Sequence, residues 1–220
     1  GDRADGRGRA PHALGYHADL RAMAMECIPG TADYSAFSET EKAGVERSFI
    51  EALAETHCID IESLNAAHLP PGLTIREAIE ADLDLWENVL ISSVERAHPI
   101  ALFALAWARA RMPQDDRPAV LVQGDAGPGN FLCTTEGVTG VVDWEMTHLG
   151  HPLEDLGCIM ARSLVQPTVA SDRLLELYQE ITDREWRRED LRYATLLVMA
   201  RFSVPISLAL EARDPAMDYG

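Results

Sequence analysis

Cysteine, basic residues, aromatics and long apolar runs are all scarce in this chain of 220 residues. Each shortage excludes something. The four cysteines, Cys27, Cys58, Cys133 and Cys158, are far apart and form no C-x-x-C pair. That spacing argues against a zinc ribbon and a disulfide scaffold and fits a reducing, cytoplasmic setting, with the thiols expected as small buried hydrophobes. Only 19 basic residues face 36 acidic ones, a net charge of −17. Nucleic acid and anionic membranes need a basic patch, so neither is the expected partner. The longest uninterrupted apolar run, Ile100 to Ala108, is too short to span a bilayer. Aromatics amount to 6%. The first ten residues carry Gly, Arg and Asp rather than a signal peptide. The chain starts with Gly, as expected of a processed, trimmed or incomplete form.

What is present suffices for a folded core. Apolar residues make up 47% and charged residues 25%, a globular composition at a length that needs no disulfide or metal staple. Residues 1–18 read as loop or tail, without apolar period. Leu20 to Ile28 reads as a strand ended by Pro29-Gly30. Ser38 and Glu41 form a capping box opening a helix to about His57, with Val45, Phe49, Ala52, Leu53 and Thr56 inward and Glu41, Lys42, Glu46 and Arg47 outward. His57 is expected to meet the last helix carbonyls. Thr74 caps a second helix, Ile75 to about Arg96, and Ala97-His98-Pro99 breaks it before a largely buried helix from Ile100 to Met112.

Then the pattern changes. Ala119 to Gln123 is a short strand, Gly124 to Gly129 a Gly-rich loop, Phe131 to Thr134 a strand and Val138 to Val142 its return. A loop from His148 to Pro152 leads to helices at Leu153 to Val165, Ser171 to Ile181 and Arg188 to Ala212, the last kinked at Pro205. The expected fold is α+β, mainly α around a small central β hairpin.

Asp125 and Asn130 sit five apart on the Gly-rich loop, and Asp143 ends the return strand. A hairpin can bring these three oxygen-bearing side chains to one mouth. A carboxylate with an amide oxygen suits magnesium, and a further carboxylate can take a proton from a hydroxyl. Phosphoryl transfer requires both functions. His148 and His151, near Glu154 and Asp155, raise the alternative of a transition-metal site, against the plainer reading of one solvated and one packed histidine. Trp144 reads as a core residue that could instead wall a pocket.

The stretch Leu121 to Gly157, with GDAGPGN (Gly124 to Asn130), VVDWE (Val141 to Glu145) and the run His148 to Leu156, resembles the aminoglycoside phosphotransferase and choline kinase-like family. Met25 to Gly30 resembles the hinge between its lobes, and Leu53 to Asp60 the helix end that follows. The resemblance implies a protein-kinase-like C-terminal lobe with the N-terminal lobe largely absent: residues 1–19 a tail or lobe remnant, 20–30 strand and hinge, 31–220 the helical lobe with its catalytic hairpin at 119–145. It implies ATP and Mg as cofactors and a small-molecule hydroxyl as acceptor. Asp125 would be the catalytic base, with Asn130 and Asp143 on the metal. Backbone groups near Glu26 and Ile28 would meet adenine, and Gln123 and Asp155 would support the loop. Gln123 stands where members often have His, and His151 where the usual G-D-P triplet has Asp. No Lys occurs in residues 1–19 to match the family's strand Lys.

Two other readings stand beside the phosphotransferase. One is a truncated, catalytically silent relative that binds a ligand or partner. The other is a metal-dependent hydrolase using Asp125, Asp143, His148 and His151. Part of the acidic excess could favour a cationic acceptor. A lobe without its partner is expected to expose apolar surface around Leu20 to Ile28, a patch suited to a homodimer.

Overall fold

The structure is a computed structural model that describes residues 9–64, 69–93, 98–164 and 173–211. Its elements run β1 (Ala13–His17), β2 (Ala22–Met25), α1 (Glu39–Thr56), a 3-10 turn (Glu62–Leu64), α2 (Ile75–Ser93), α3 (Pro99–Ala110), β3 (Val120–Val122), β4 (Phe131–Thr134), β5 (Gly137–Val141), β6 (His148–Gly150), α4 (Leu153–Arg162), α5 (Leu174–Thr182) and α6 (Arg188–Glu211). The strands pair antiparallel as β1–β2, β3–β6 and β4–β5. The expected ends of three helices, at residues 94–97, 165 and 171–172, fall outside the described residues, as does Ala212.

Local chemistry accounts for the helix starts. The Ser38 side chain accepts from the Glu41 amide, while Glu41 reaches back to the Ser38 amide at 2.8 Å. Thr74 and Glu77 repeat this exchange at the start of α2, with 2.8 and 3.2 Å bonds. Such a cap contributes about 1 kcal/mol. Val45, Phe49, Ala52 and Leu53 of α1 then pack with Phe131, Val138 and Val141 of the hairpin and with Leu153, Leu156, Leu174 and Tyr178. A second cluster joins α2, α3 and α6 through Ile79, Leu83, Leu105, Leu197 and Val204.

α6 is shared by both clusters. By length and composition Arg188–Ala209 could cross a membrane. Here it is the central packing helix, and its buried Arg201 pairs with Asp82 of α2 at 3.1 Å and with Glu154 of α4. It runs through Pro205 without ending.

Several expectations are corrected. The tail contains a strand: β1 pairs with β2, and Arg9 before it holds Glu55, Ser48 and the Val138 carbonyl. Every β1 residue is exposed, so no alternation marked it. β2 is shorter than expected. α3 buries only one stripe, Ala101, Leu105 and Ala108, and leaves Ile100 and Phe103 exposed. Glu46, expected outward, is buried beside the Tyr34 hydroxyl. Cys27 and Cys58 are exposed, whereas Cys133 and Cys158 are buried. His148–Gly150, expected as loop, pairs with β3. Leu14, Tyr16, Leu20, Met23 and Met25 all lie exposed on the β1–β2 hairpin.

Candidate active site

The Gly124–Asn130 loop leaves β3 through a turn that only glycine permits. Gly124 has φ +87°, and a Cβ there would lie 2.1 Å from the Met146 carbonyl oxygen. Behind the turn, the buried Asp155 carboxylate in the first turn of α4 accepts from the Gln123 and Gly124 amides, both at 2.9 Å. Asp155 Oδ2 also lies 3.0 Å from His57 Nε2, and His57 Nδ1 lies 2.8 Å from the Tyr178 hydroxyl. Burial, then the Asp155 charge, pushes the Tyr178 phenol up, so it keeps its proton. We therefore assign the hydroxyl as donor to Nδ1 and Nε2–H as donor to Asp155. His57 thus serves the loop support rather than the helix carbonyls expected of it.

Gln123 joins the two sides of the site. Its Oε1 accepts from the Asp125 amide at 2.8 Å, and its Nε2 donates to the Val142 and Asp143 carbonyls at 3.0 and 2.6 Å. An amide side chain carries donor and acceptor together, which this bridge uses. Asn130 Nδ2 donates to Asp125 Oδ2 at 2.8 Å and to the Asp125 carbonyl at 2.7 Å. The Asn130 carbonyl accepts from the Val142 amide at 2.9 Å, one step beyond the Phe131–Val141 pair. Asp143 comes next, exposed and at φ +62°, a left-handed conformation that Asp tolerates better than most side chains. Trp144 is partly buried against the core and donates to the Val141 carbonyl at 2.9 Å.

The Glu26–Thr31 segment is fixed to this hairpin. Thr31 and Cys133 exchange backbone bonds at 2.9 Å, and Thr139 Oγ1 donates to the Pro29 carbonyl at 2.6 Å. A Cβ on Gly30 would come within 2.6 Å of the Cys133 oxygen. The Glu26 amide donates to His12 at 2.9 Å. Among the described residues, no backbone bond engages the Glu26 carbonyl or the Ile28 amide.

The two histidines do not join Asp125 and Asp143. His148 places Nδ1 2.9 Å from the Met146 carbonyl and Nε2 3.1 Å from Glu154. Burial opposes its charging, but the bond to Glu154 and the nearby carboxylates outweigh burial and Arg201, so it titrates above its ordinary value. Asp82, His148 and Glu154 have the spacing of a metal site. Arg201 already bonds both carboxylates and supplies the cation there. The histidines that the hydrolase reading needs are thus bonded to Met146, Glu154 and Leu153. A cavity of about 520 Å³ opens between Ile59–Glu62, Pro71–Thr74 and the start of β3, and none of Asp125, Asn130 or Asp143 lines it.

His151 is packed against Trp186, with ring centroids 4.8 Å apart, and its Nδ1 accepts from the Leu153 amide at 3.0 Å. Glu154, Asp115, Arg117 and Asp190 face it, and burial pushes its pKa down to about 4. The unfolded chain takes up this proton below about pH 6.5 and folded His151 only near 4, so stability falls as pH drops through that window. His151→Asn should therefore remove about 2 kcal/mol of the stability lost between pH 7 and 5. Urea unfolding at several pH values measures this, and identical pH slopes for the two proteins would refute it.

Arg162 was not singled out by the sequence: it lies 37 residues from Asp125 on another element, and no local spacing links them. Its guanidinium bonds Asp125 Oδ1.

Comparison with known proteins supplies the family and the fold. A family described as the phosphotransferase enzyme family matches residues 5–191. Acyl-CoA dehydrogenase family member 11 of Rattus norvegicus is 29% identical over 142 residues, 64% of this chain. The chain spans only 17% of that relative's length. Among solved structures, a candidate aminoglycoside phosphotransferase from Ralstonia eutropha superposes with TM-score 0.74 at 18% identity, covering 94% of this chain and 71% of that one. A choline/ethanolamine kinase family protein from Mesorhizobium loti gives 0.63 at 20% identity, covering 96% and 69%. An aminoglycoside phosphotransferase variant in complex with ADP and hygromycin B gives 0.58 at 16%, covering 93% and 78%. These structures share a kinase-like phosphotransferase fold with the chain, and with its family match covering most of its length the chain belongs to the phosphotransferase enzyme family.

Proposed function

We propose that the chain forms the C-terminal lobe of an ATP- and magnesium-dependent phosphotransferase acting on a small-molecule hydroxyl. The observation that carries this reading is the Asp125–Asn130 hydrogen bond on a loop whose last residue pairs with Val142, directly before Asp143. The donor set suits the metal. Asn130 spends its NH2 group on Asp125, and among the described residues no hydrogen bond engages its Oδ1 or the Asp143 carboxylate. An amide oxygen and a carboxylate, with the remaining positions left to water and phosphate, match the preference of magnesium. Magnesium held there would offset negative charge on the nucleotide phosphates.

The residues divide the remaining work. Asp125 accepts the proton of the acceptor hydroxyl as the phosphoryl group moves to that oxygen. The Glu26 carbonyl accepts from the exocyclic amine of adenine, and the Ile28 amide donates to a ring nitrogen. Gln123 and Asp155 keep the loop still. The neighbours named for aminoglycosides and for choline or ethanolamine suggest a first panel of cationic acceptors, to be matched by neutral polyols.

Calorimetry on the protein made from its complete natural coding sequence tests this. ATP is expected to bind only with magnesium, and one member of the panel should drive ADP release. Failure to bind ATP with magnesium would favour the silent relative.

A further inference from the structure

Arg162 ends α4, and its half-buried side chain turns back onto the catalytic loop. Nη2 donates to Asp125 Oδ1 and lies 3.4 Å from the Asp125 carbonyl oxygen, while Nη1 lies 3.3 Å from the Pro128 carbonyl oxygen. Asp125 Oδ2 is held by Asn130 at 2.8 Å. Both oxygens of this carboxylate are therefore gripped, from two separate elements. The loop makes room for the approach at Gly127, where a Cβ would lie 2.4 Å from Arg162 Cδ and 3.0 Å from Nε. These are atoms in the middle of the side chain, whose far end is already committed to three acceptors.

We infer that Arg162 is a positioning residue for Asp125, holding its carboxylate in the orientation that meets the acceptor hydroxyl, and that Gly127 is the gap through which it reaches. This rests on Asp125 being the base, as proposed above. Each carboxylate oxygen keeps a second lone pair after accepting one bond, so the grip still leaves a site for the incoming proton. A planar guanidinium can bond the side chain and two backbone carbonyls at once; a Lys ammonium offers a point charge on a flexible stem. Misplacing a catalytic group by about 1 Å costs on the order of 100-fold in rate.

The test uses the complete natural protein, with MgATP as nucleotide and water as acceptor, read as ADP release. Arg162→Ala should lower turnover roughly 10- to 100-fold, with MgATP affinity within about threefold of wild type and little change in melting temperature. Arg162→Lys should recover only part of the loss, and millimolar guanidinium should restore activity to Arg162→Ala. Gly127→Ala should be impaired as well, and the double variant no worse than Arg162→Ala alone, because both act through one contact. Wild-type turnover in Arg162→Ala, or additive losses in the double variant, would overturn the inference. If the wild type releases no ADP to water, crystal structures decide on Arg162: Asp125 should leave Asn130 in Arg162→Ala, and an unmoved carboxylate would overturn the proposal; failure of the wild type to bind MgATP would sink the phosphotransferase reading instead.

Discussion

Asp125→Ala is expected to slow phosphoryl transfer by about 10²- to 10⁴-fold, the usual contribution of a positioned general base. The affinity for MgATP should hardly change, since a base acts in the transition state and not in nucleotide binding. Asp125 and its partner Arg162 are both only partly buried, so the variant should fold. Asp143→Ala should behave differently. On the proposed reading that carboxylate is a magnesium donor, so its removal should abolish magnesium-dependent nucleotide binding and turnover together. Steady-state kinetics with calorimetry on both variants separates the two roles. Turnover in Asp125→Ala within tenfold of wild type would end the case for it as base.

Asp155→Ala should have the largest effect on stability. The carboxylate is fully buried and satisfies the Gln123 amide, the Gly124 amide and His57 Nε2–H. Truncation leaves three buried donors unpaired at about 1–3 kcal/mol each before relaxation, so a net loss of about 3 kcal/mol is a modest expectation. For a chain of this size that lowers the melting temperature by roughly 6–12 °C. Asp155→Asn keeps the volume but turns an NH2 group toward a donor, and should recover only part of the loss. Differential scanning calorimetry decides, and a shift under about 2 °C for the Ala variant would mean that the loop is held by other contacts.

The parts of this molecule that were legible in its sequence are those written in short spacings. Ser38 with Glu41 and the Val45–Phe49–Leu53 stripe located α1, and β4 and the loop before it followed from turn residues and apolar runs. Asp125 and Asn130 could be joined because they sit five apart on one loop. What escaped depends on distant partners. β6 is three residues long and pairs with β3 across more than twenty intervening residues. β1 is a strand because β2 lies beside it, not because one of its faces is apolar. Glu46 is buried because Tyr34 offers its hydroxyl. His57 and Arg162 act on the loop from α1 and α4, and neither carries a local pattern that points there.

Gly157 carries a consequence for how this protein can change. It sits two residues after Asp155, where a Cβ would come within 2.9 Å of the α6 backbone at Ala194 and Thr195. A glycine inside a helix costs about 1 kcal/mol relative to alanine; here it lets two helices touch backbone to backbone beside the residue that holds the start of the Gly124–Asn130 loop. Any enlargement at Gly157 or Ala194 wedges the helices apart and moves Asp155 with them. Directed evolution toward a new acceptor should therefore recover rate-altering substitutions on α6, while the same positions resist random replacement more strongly than the exposed β1–β2 hairpin does.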